Sequence, residues 1–435
     1  MDCGQTDADF LSGAAIRKWK DADGGQSELD YWVRGKSVWI GVGASAVHRR
    51  RENDDMTIEH VCARCFEDEN LAAWIGAVDG EPGCDFCDGD DAPTCDIDDL
   101  CRHMEASLRE VYGFAVEQLP WESAEGGYIG RQWSTYEILV EEVGLSLPRD
   151  QKDHLFQAVL GRLPDEIWCD YDWLSLDMDD ALRSSWEQLC ETVKHKRRFF
   201  FHAVGEDTHD SFTPATLLKA IANISDRMGL IGDIPPNTGL WRARTDIKRG
   251  AHTKASDFGP PPEQHATQSN RMNPPGIPML YLASTPGTAL RETKITEGRV
   301  GRWVAARALR VLDLRTLKPV PGIFAGRDRD ERLALSFLHD FRHDIMQPVE
   351  RDAAHHVEYL PSQVVTEYLR DYQFEDGKLD GIAYGSTVHP GGWNVALFLS
   401  PCDLGLQEPD WDEAKDSSMT FAAARWAKLV HRAAT

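Results

Sequence analysis

The sequence predicts a multidomain protein with a cysteine-rich segment near its start, an α-helical domain in the middle and an α+β domain in its carboxy-terminal part. Three observations support this prediction. The 435 residues exceed what one compact core usually accommodates. Two Cys-x-x-Cys pairs stand close together in the first hundred residues. The spacing of apolar residues changes from helical to strand-like after the pair Pro235-Pro236.

The composition indicates a globular protein and excludes some function classes. It is 42% hydrophobic and 27% charged, with 14 Trp, which a disordered chain would not carry. The net charge of −25 argues against nonspecific nucleic-acid binding, because phosphates would be repelled. No apolar run approaches the roughly 18 residues that span a bilayer. We therefore expect a cytoplasmic protein without membrane contact, in which the ten Cys are thiols or metal ligands.

Residues 1–55 form a poorly patterned amino-terminal extension with scattered charges. The sequence leaves two interpretations open: a loosely ordered extension, or a true start at Met56. Residues 56–99 follow as a segment rich in Cys, Gly and Asp, whose order must come from something other than a hydrophobic core.

The paired cysteines predict a zinc-knuckle site. Each Cys-x-x-Cys places two thiolates on one side of a tight turn, and two such pairs complete a closed tetrahedral shell. A shell of four thiolates has no open position, so a structural zinc is expected rather than a catalytic one. Cys95 and Cys101 lie nearby, and either could replace one of the predicted ligands. Those ligands are Cys62, Cys65, Cys84 and Cys87.

Residues 100–232 have the apolar spacing of a helical domain. Gly144 and Pro164 stop two of the predicted helices, and Pro214 suits a first helical position. The predicted helices span residues 100–114, 134–143, 150–163, 179–202 and 213–228.

Residues 235–405 mix short strand-like runs with helical patterns, which predicts an α+β domain. The residues after it, 406–435, are predicted to be a tail with a short helix. The predicted strands span residues 240–245, 279–283, 303–309, 311–314, 381–384 and 394–399, and the helices span 288–296, 328–346 and 361–372.

Five segments of this domain resemble the RES domain and occur in that family's order. No single segment is specific, but the ordered set covers about 165 residues. Asn270 and Met272 depart from the family's pattern, which usually has a Gly and an aromatic there. The five segments are Leu240-Trp241-Arg242-Ala243-Arg244, Asn270-Arg271-Met272-Asn273-Pro274-Pro275-Gly276 with Leu280-Tyr281-Leu282-Ala283, Thr288-Ala289-Leu290-Arg291-Glu292, Tyr359-Leu360-Pro361-Ser362-Gln363, and Asp380-Gly381-Ile382-Ala383-Tyr384-Gly385-Ser386 with Asn394-Val395-Ala396-Leu397-Phe398.

The resemblance implies an ADP-ribosyltransferase-like fold and a toxin that breaks the nicotinamide–ribose bond of NAD. Glu292 would then face the ribosyl cation, and Arg271, or secondly Arg242, would hold the diphosphate. Tyr281 would offer a ring and a hydroxyl, and Ser386 would bond the ribose or the carboxamide. Hydrolysis or phosphorolysis of NAD is the leading expectation, with protein ADP-ribosylation at the same site as the alternative.

The helical domain, with its cysteine pairs, looks like the HEPN-type segment that precedes some RES domains. Arg197 and His202 have the Arg-x4-His spacing of HEPN ribonucleases, but the spacing is short and common by chance. A helix end with cations near its negative dipole end is the favoured interpretation of this segment. A non-catalytic sensor or dimerisation role is the third interpretation.

RES toxins are commonly paired with a neighbouring antitoxin that carries an Xre-like DNA-binding domain. The resemblance therefore implies such a protein partner beside NAD, and a role in bacterial defence. Homo-oligomerisation is left open by the sequence.

Overall fold

The computed structural model describes residues 32–33, 36–37, 58–78, 80–87, 92–124, 126–147, 152–172, 175–201, 205–326, 328–347, 355–406 and 418–429. Residues 1–57 and 58–435 are separate units. In the first, β1 (Trp32–Val33) pairs antiparallel with β2 (Lys36–Ser37); the rest of the predicted extension lies outside the described residues. No helix in the described ranges is long and apolar enough to cross a membrane.

The first part of the second unit combines short strands and helices around one core. Trp168 is fully buried there and donates from Nε1 to the Thr135 hydroxyl at 2.9 Å. Asp96 caps α2 through the backbone N–H of Asp98. The elements are β3 (His60–Cys62), α1 (Glu69–Val78), β4 (Thr94–Asp96), α2 (Ile97–Arg109), β5 (Tyr112–Phe114), α3 (Ala115–Gln118), β6 (Trp121–Glu122), β7 (Gly127–Tyr128), β8 (Trp133–Ser134), α4 (Thr135–Glu137) with a π-helical turn (Ile138–Glu142), α5 (Lys152–Leu160) and β9 (Ile167–Asp170).

Two further helices, α6 (Met178–Glu191) and α7 (Pro214–Arg227), pack in the same apolar core as the helices of the carboxy-terminal part. The helix predicted over residues 179–202 is too long. It ends with a π-helical turn, Thr192–Lys196, and Arg197 is already extended. The physical reason is burial: the apolar face stops at Val193, whereas Phe199 and Phe200 are 79% and 77% exposed and gain nothing from helix packing.

The carboxy-terminal part contains one eight-stranded sheet in the order β10-β14-β15-β16-β12-β11-β13-β17. All neighbours are antiparallel except β14 and β15, which are parallel. The elements are β10 (Ile231–Ile234), β11 (Gly239–Arg244), β12 (Leu280–Ala283), α8 (Pro286–Glu292), β13 (Glu297–Ala305), β14 (Leu309–Asp313), α9 (Arg329–Met346), α10 (His355–Glu358), α11 (Leu360–Asp371), β15 (Gly381–Gly385), β16 (Trp393–Leu397) and β17 (Met419–Lys428).

Apolar side chains cover both faces of this sheet. On one face, α6, α7, α9 and α11 pack against residues such as Leu312 and Ile382. On the other face, a second cluster centres on Leu240, Leu280 and Trp303. The short helix α8 begins at the cap Thr285, whose hydroxyl accepts from the Thr288 N–H, and it packs on β11 and β13.

The tail after residue 405 differs from the prediction of a short helix. Residues Met419–Lys428 form β17, which pairs along the whole of β13 as the edge strand. The run of Ala in this segment favours a helix by intrinsic propensity. Pairing with β13 and packing of Phe421 against Phe258 and Trp303 override that preference.

A loop between β11 and β12 packs tightly over the sheet. Phe258 is fully buried above Gly301, and its carbonyl accepts from the Trp303 indole at 3.1 Å. A Cβ at Gly301 would lie 2.3 Å from the Phe258 ring carbon Cγ. Gly301 therefore lets this loop approach the sheet, and the loop in turn holds Arg244 by accepting two guanidinium hydrogen bonds at Asp257 and Gly259.

We expect Gly301→Ala to destabilise the protein by about 1–3 kcal/mol, because the added methyl overpacks the Phe258 contact. Gly76→Ala is the matched control, since Gly76 lies in α1 and its added Cβ would meet no atom within 4 Å. That change should raise stability by about 0.5–1 kcal/mol. Thermal unfolding measures both; equal unfolding temperatures for the two variants would contradict the close packing.

Candidate functional site

A cavity opens where two neighbouring strands of the sheet separate. Within the described strands, β11 and β12 share one paired position, Trp241 with Ala283. The cavity has a volume of about 740 Å³. That size lies within the usual range for cofactor and small-molecule sites. Its lining includes Arg242, Arg271, Asn273, Tyr281, Glu292, Tyr359, Tyr384 and Asn394.

Two arginines of β11 lie on the same face of the strand, two positions apart. Arg244 is satisfied by the carbonyls of Asp257 and Gly259. Arg242 differs, because its Nη1 is buried and has no hydrogen-bond partner among the described residues. Burial lowers the pKa of Arg242, and the nearby Arg244 lowers it further. Arg242 is half-buried as a whole, and a guanidinium nitrogen that is buried without a partner is costly, so this part of the cavity is suited to an anionic ligand.

A carboxylate at the end of α8 is held by two donors from the neighbouring hairpin. The Ser386 hydroxyl and the Asn394 side-chain amide each donate to Glu292 Oε1 at 2.7 Å. These two hydrogen bonds fix the orientation of the carboxylate. Glu292 is therefore a fixed negative group at the cavity wall.

Three tyrosines give the cavity aromatic walls. The Tyr281 hydroxyl donates to Asn273 Oδ1 at 2.6 Å and accepts from the Met272 N–H at 3.2 Å. Its hydroxyl is thus already engaged, and its ring is what remains for a ligand. Burial raises the pKa of both Tyr281 and Tyr384, so both phenols stay neutral near pH 7. Tyr359 completes the set and lies beside the Arg271 guanidinium, 6.0 Å from its ring centre.

Arg271 stands between the cavity and a second cavity of about 580 Å³. Its Nη1 donates to the Ile345 carbonyl at the end of α9, at 2.6 Å. Its own carbonyl accepts from the Ser362 hydroxyl at 2.6 Å. Arg271 therefore has a structural role in joining its turn to α9 and α11, in addition to any contact with a ligand.

The structure brings together residues that the sequence places far apart. Arg242, Arg271, Tyr281 and Glu292 line one cavity, and Ser386 joins them through its bond to Glu292. Sequence reasoning missed Asn273, Tyr359, Tyr384 and Asn394 as site residues. Asn394 carries the clearest overlooked signal, since it is an amide at the start of the apolar run Val395–Leu397.

Met272 does not line this cavity. It is fully buried beneath α11, where its sulfur accepts from the Thr366 hydroxyl at 3.3 Å. The departure from an aromatic residue at this position therefore affects core packing, and the rings that line the cavity are those of the tyrosines.

The four predicted metal ligands meet in one cluster. Sulfur–sulfur distances are 3.8 Å between Cys62 and Cys65, 3.4 Å between Cys62 and Cys87, and 3.5 Å between Cys65 and Cys84. All four sulfurs lie within 4.8 Å of one another. A tetrahedron with metal–sulfur bonds of about 2.3 Å has similar edges, so this donor set could bind zinc. Cys95 and Cys101 lie outside the cluster.

The arginine of the Arg-x4-His motif does not lie in a helix. Arg197 lies beyond the end of the π-helical turn, in an extended conformation. His202 lies outside the described residues. The described part of the motif therefore adds no support to a ribonuclease site.

Comparison with known families assigns both halves of the second unit. Residues 77–207 match HEPN/RES N-terminal domain 1, and residues 239–418 match the RES domain. Searches against curated proteins and against solved structures give no match. The RES match contains every cavity residue described above, and the other match contains Cys84 and Cys87 but begins after Cys62 and Cys65. The chain is therefore a RES-domain protein with a HEPN/RES-type amino-terminal domain.

Proposed function

We propose that the cavity binds NAD and cleaves its nicotinamide–ribose bond. The observation that carries this proposal is that one cavity is lined both by Arg242, whose buried Nη1 has no partner among the described residues, and by a fixed Glu292 carboxylate. A dinucleotide with an anionic diphosphate and a ribosyl group that becomes cationic needs one group of each kind. The tyrosine rings supply surfaces for its aromatic ends. The RES family, whose members are generally NAD-acting enzymes, is the second support.

The chemistry balances with either of two small acceptors. The C–N bond to nicotinamide breaks, and its electron pair neutralises the pyridinium nitrogen. Glu292 stabilises the positive charge that develops on the ribose. Water then forms the new C–O bond and loses a proton, giving ADP-ribose; phosphate would give the ADP-ribosyl phosphate. Transfer to a protein side chain, which would be ADP-ribosylation, is the alternative at the same site.

The fold supports the same proposal at a coarser level. A predominantly antiparallel sheet that opens between β11 and β12 to expose Arg, Tyr and Glu fits an ADP-ribosyltransferase-like arrangement. We propose in addition that NAD loss makes the chain a toxin restrained by a protein antitoxin, as the family resemblance implies.

The first test is removal of the negative charge from Glu292. Glu292→Gln keeps the size of the side chain, and we expect NAD consumption to fall about a hundredfold or more. Purified full chain is incubated with NAD, with and without phosphate, and the products are identified by mass spectrometry. Glu297→Gln is the matched control, because Glu297 is a partly exposed residue of β13 near Lys428. A folded Glu292→Gln variant as active as the parent would exclude this carboxylate.

The second test removes the positive charge of Arg242. Arg242→Met removes the charge but keeps much of the side-chain volume, so we expect the KM for NAD to rise at least tenfold. The same change should raise the thermal stability of the ligand-free protein, since the cost of burying an unpartnered charge is lost. Activity and unfolding temperature are measured on the same sample. A variant with unchanged KM and lower stability would show that Arg242 is structural.

We also infer that the four-cysteine cluster holds a structural zinc ion. We expect about one zinc per chain by elemental analysis, because four thiolates form one closed shell. Cys84→Ser should lower both the zinc content and the unfolding temperature. Cys101→Ser is the control, since Cys101 lies in the same core but contacts the Val159 carbonyl instead of the cluster. The site would be refuted if the parent protein, after removal of zinc, unfolds at the same temperature as the parent protein as purified.

A further inference from the structure

Asn394 occupies an unusual position for a polar side chain. It begins the apolar part of β16, where Val395, Ala396 and Leu397 are fully buried, and it is itself only 6% exposed. A buried amide is costly unless its hydrogen bonds are made. Its Nδ2 donates to Glu292 Oε1 at 2.7 Å. The strand therefore carries a polar residue at the one place where it meets the carboxylate.

Both donors to this carboxylate use the same oxygen. Ser386 Oγ and Asn394 Nδ2 each lie 2.7 Å from Glu292 Oε1, whereas Oε2 receives no hydrogen bond from the described residues. The terminal torsion of a Glu side chain is otherwise broad. Two donors on one oxygen remove that freedom, and they leave Oε2 as the oxygen that a ligand can approach.

The hairpin that carries these donors is attached to α8 by other bonds. The Thr288 hydroxyl lies 2.8 Å from His389 Nδ1. The Trp393 N–H donates to the Ser284 hydroxyl at 3.0 Å, just before α8. Because these contacts hold the hairpin, the amide of Asn394 is needed for the carboxylate rather than for the position of the strand.

We propose that Asn394 is a positioning residue, which together with Ser386 fixes the Glu292 carboxylate so that Oε2 meets the ribosyl group as the glycosidic bond breaks. This inference rests on the proposed function. It assigns Asn394 no contact with NAD and no proton transfer. Its effect is therefore on turnover through Glu292, and not on binding.

The first experiment compares Asn394→Ala with the parent in the full chain. Loss of one donor to a charged group should lower kcat about ten- to a hundredfold. KM should stay within about threefold, because no contact with NAD is removed. A folded Asn394→Ala variant with the kcat of the parent overturns the positioning role.

The second experiment uses Asn394→Asp, which keeps the shape but places two carboxylates about 2.7 Å apart, the distance of the present hydrogen bond. Such a pair shares one proton, and one of its two apparent pKa values is strongly raised. At low pH the shared proton restores the hydrogen bond. As the pH rises and that proton leaves, repulsion turns the Glu292 carboxylate away. The ratio of the variant's kcat to the parent's should therefore fall at least tenfold between about pH 6 and 8.5.

The ratio of the two kcat values separates the effect of the two neighbouring carboxylates from the effects of other groups near them. The other titratable or charged groups of this region are present in both proteins; they are Arg242, Arg244, His265, Arg271, Tyr281, Tyr359, Tyr384 and His389. A merely structural role would lower kcat evenly across the pH range. A ratio that does not change with pH overturns the proposal.

Asn223→Asp is the matched control. In the helical core, Asn223 Oδ1 accepts a hydrogen bond from the Tyr372 hydroxyl at 2.7 Å. Asn223 does not line the cavity. The ratio of the kcat of this variant to that of the parent should not change with pH. If Asn394→Asp fails to fold, the Asn394→Ala result decides alone. A parent protein that consumes no NAD refutes the proposed function itself, whereas an active parent beside a fully active Asn394→Ala variant refutes only the positioning role.

Discussion

The candidate site depends on a sheet that is held together everywhere except between β11 and β12. On either side of this point, β12 pairs with β16 over four positions and β11 pairs with β13 over six. The two strands themselves share only Trp241 and Ala283. A fully paired sheet would fill the gap with backbone hydrogen bonds and leave no space for a ligand. The opening lets side chains of both strands face one cavity.

The opening leaves Arg242 in an energetically unfavourable position in the ligand-free protein. A guanidinium in a complete sheet would be driven to solvent or paired with an acid, because burying an unpaired charge is unfavourable. Here the Nη1 atom is buried without a partner in the described residues, while the neighbouring Arg244 is fully engaged by backbone carbonyls. Local destabilisation of this kind is typical of functional sites.

Local pattern was enough to predict most helices and the strands β11 to β16 but not the elements whose state depends on a distant partner. The run of alternating apolar residues predicted the central strands because both periodicity and burial agree there. The strand Met419–Lys428 lies in the tail for which a short helix was predicted, and its alanines carry no local signal for pairing with β13. The same limit applies to the helix predicted to reach residue 202, because Phe199 and Phe200 are exposed and cover no core.

The site residues also fall into two groups, those that the sequence predicted and those that it did not. Arg242, Arg271, Tyr281, Glu292 and Ser386 were found from the sequence because the resemblance implies a role for each of them, whereas it covers Tyr359 and Asn394 without implying one. Those two were not found, since a strand or helix pattern does not reveal which polar group meets a carboxylate about a hundred residues away. Only the pairing of β15 with β16 places Asn394 opposite Tyr384 and beside Glu292.

One helix of the HEPN/RES-type segment, α6, packs in the apolar core that supports the site. Three polar contacts join the start of α6 and its body to α9: Asp177 with Arg329, Arg183 with Asp340, and Trp186 with Asp344. The far end of α9 supplies the Ile345 carbonyl that holds Arg271. The amino-terminal segment therefore contacts, through α6, the helix that positions an arginine of the cavity wall.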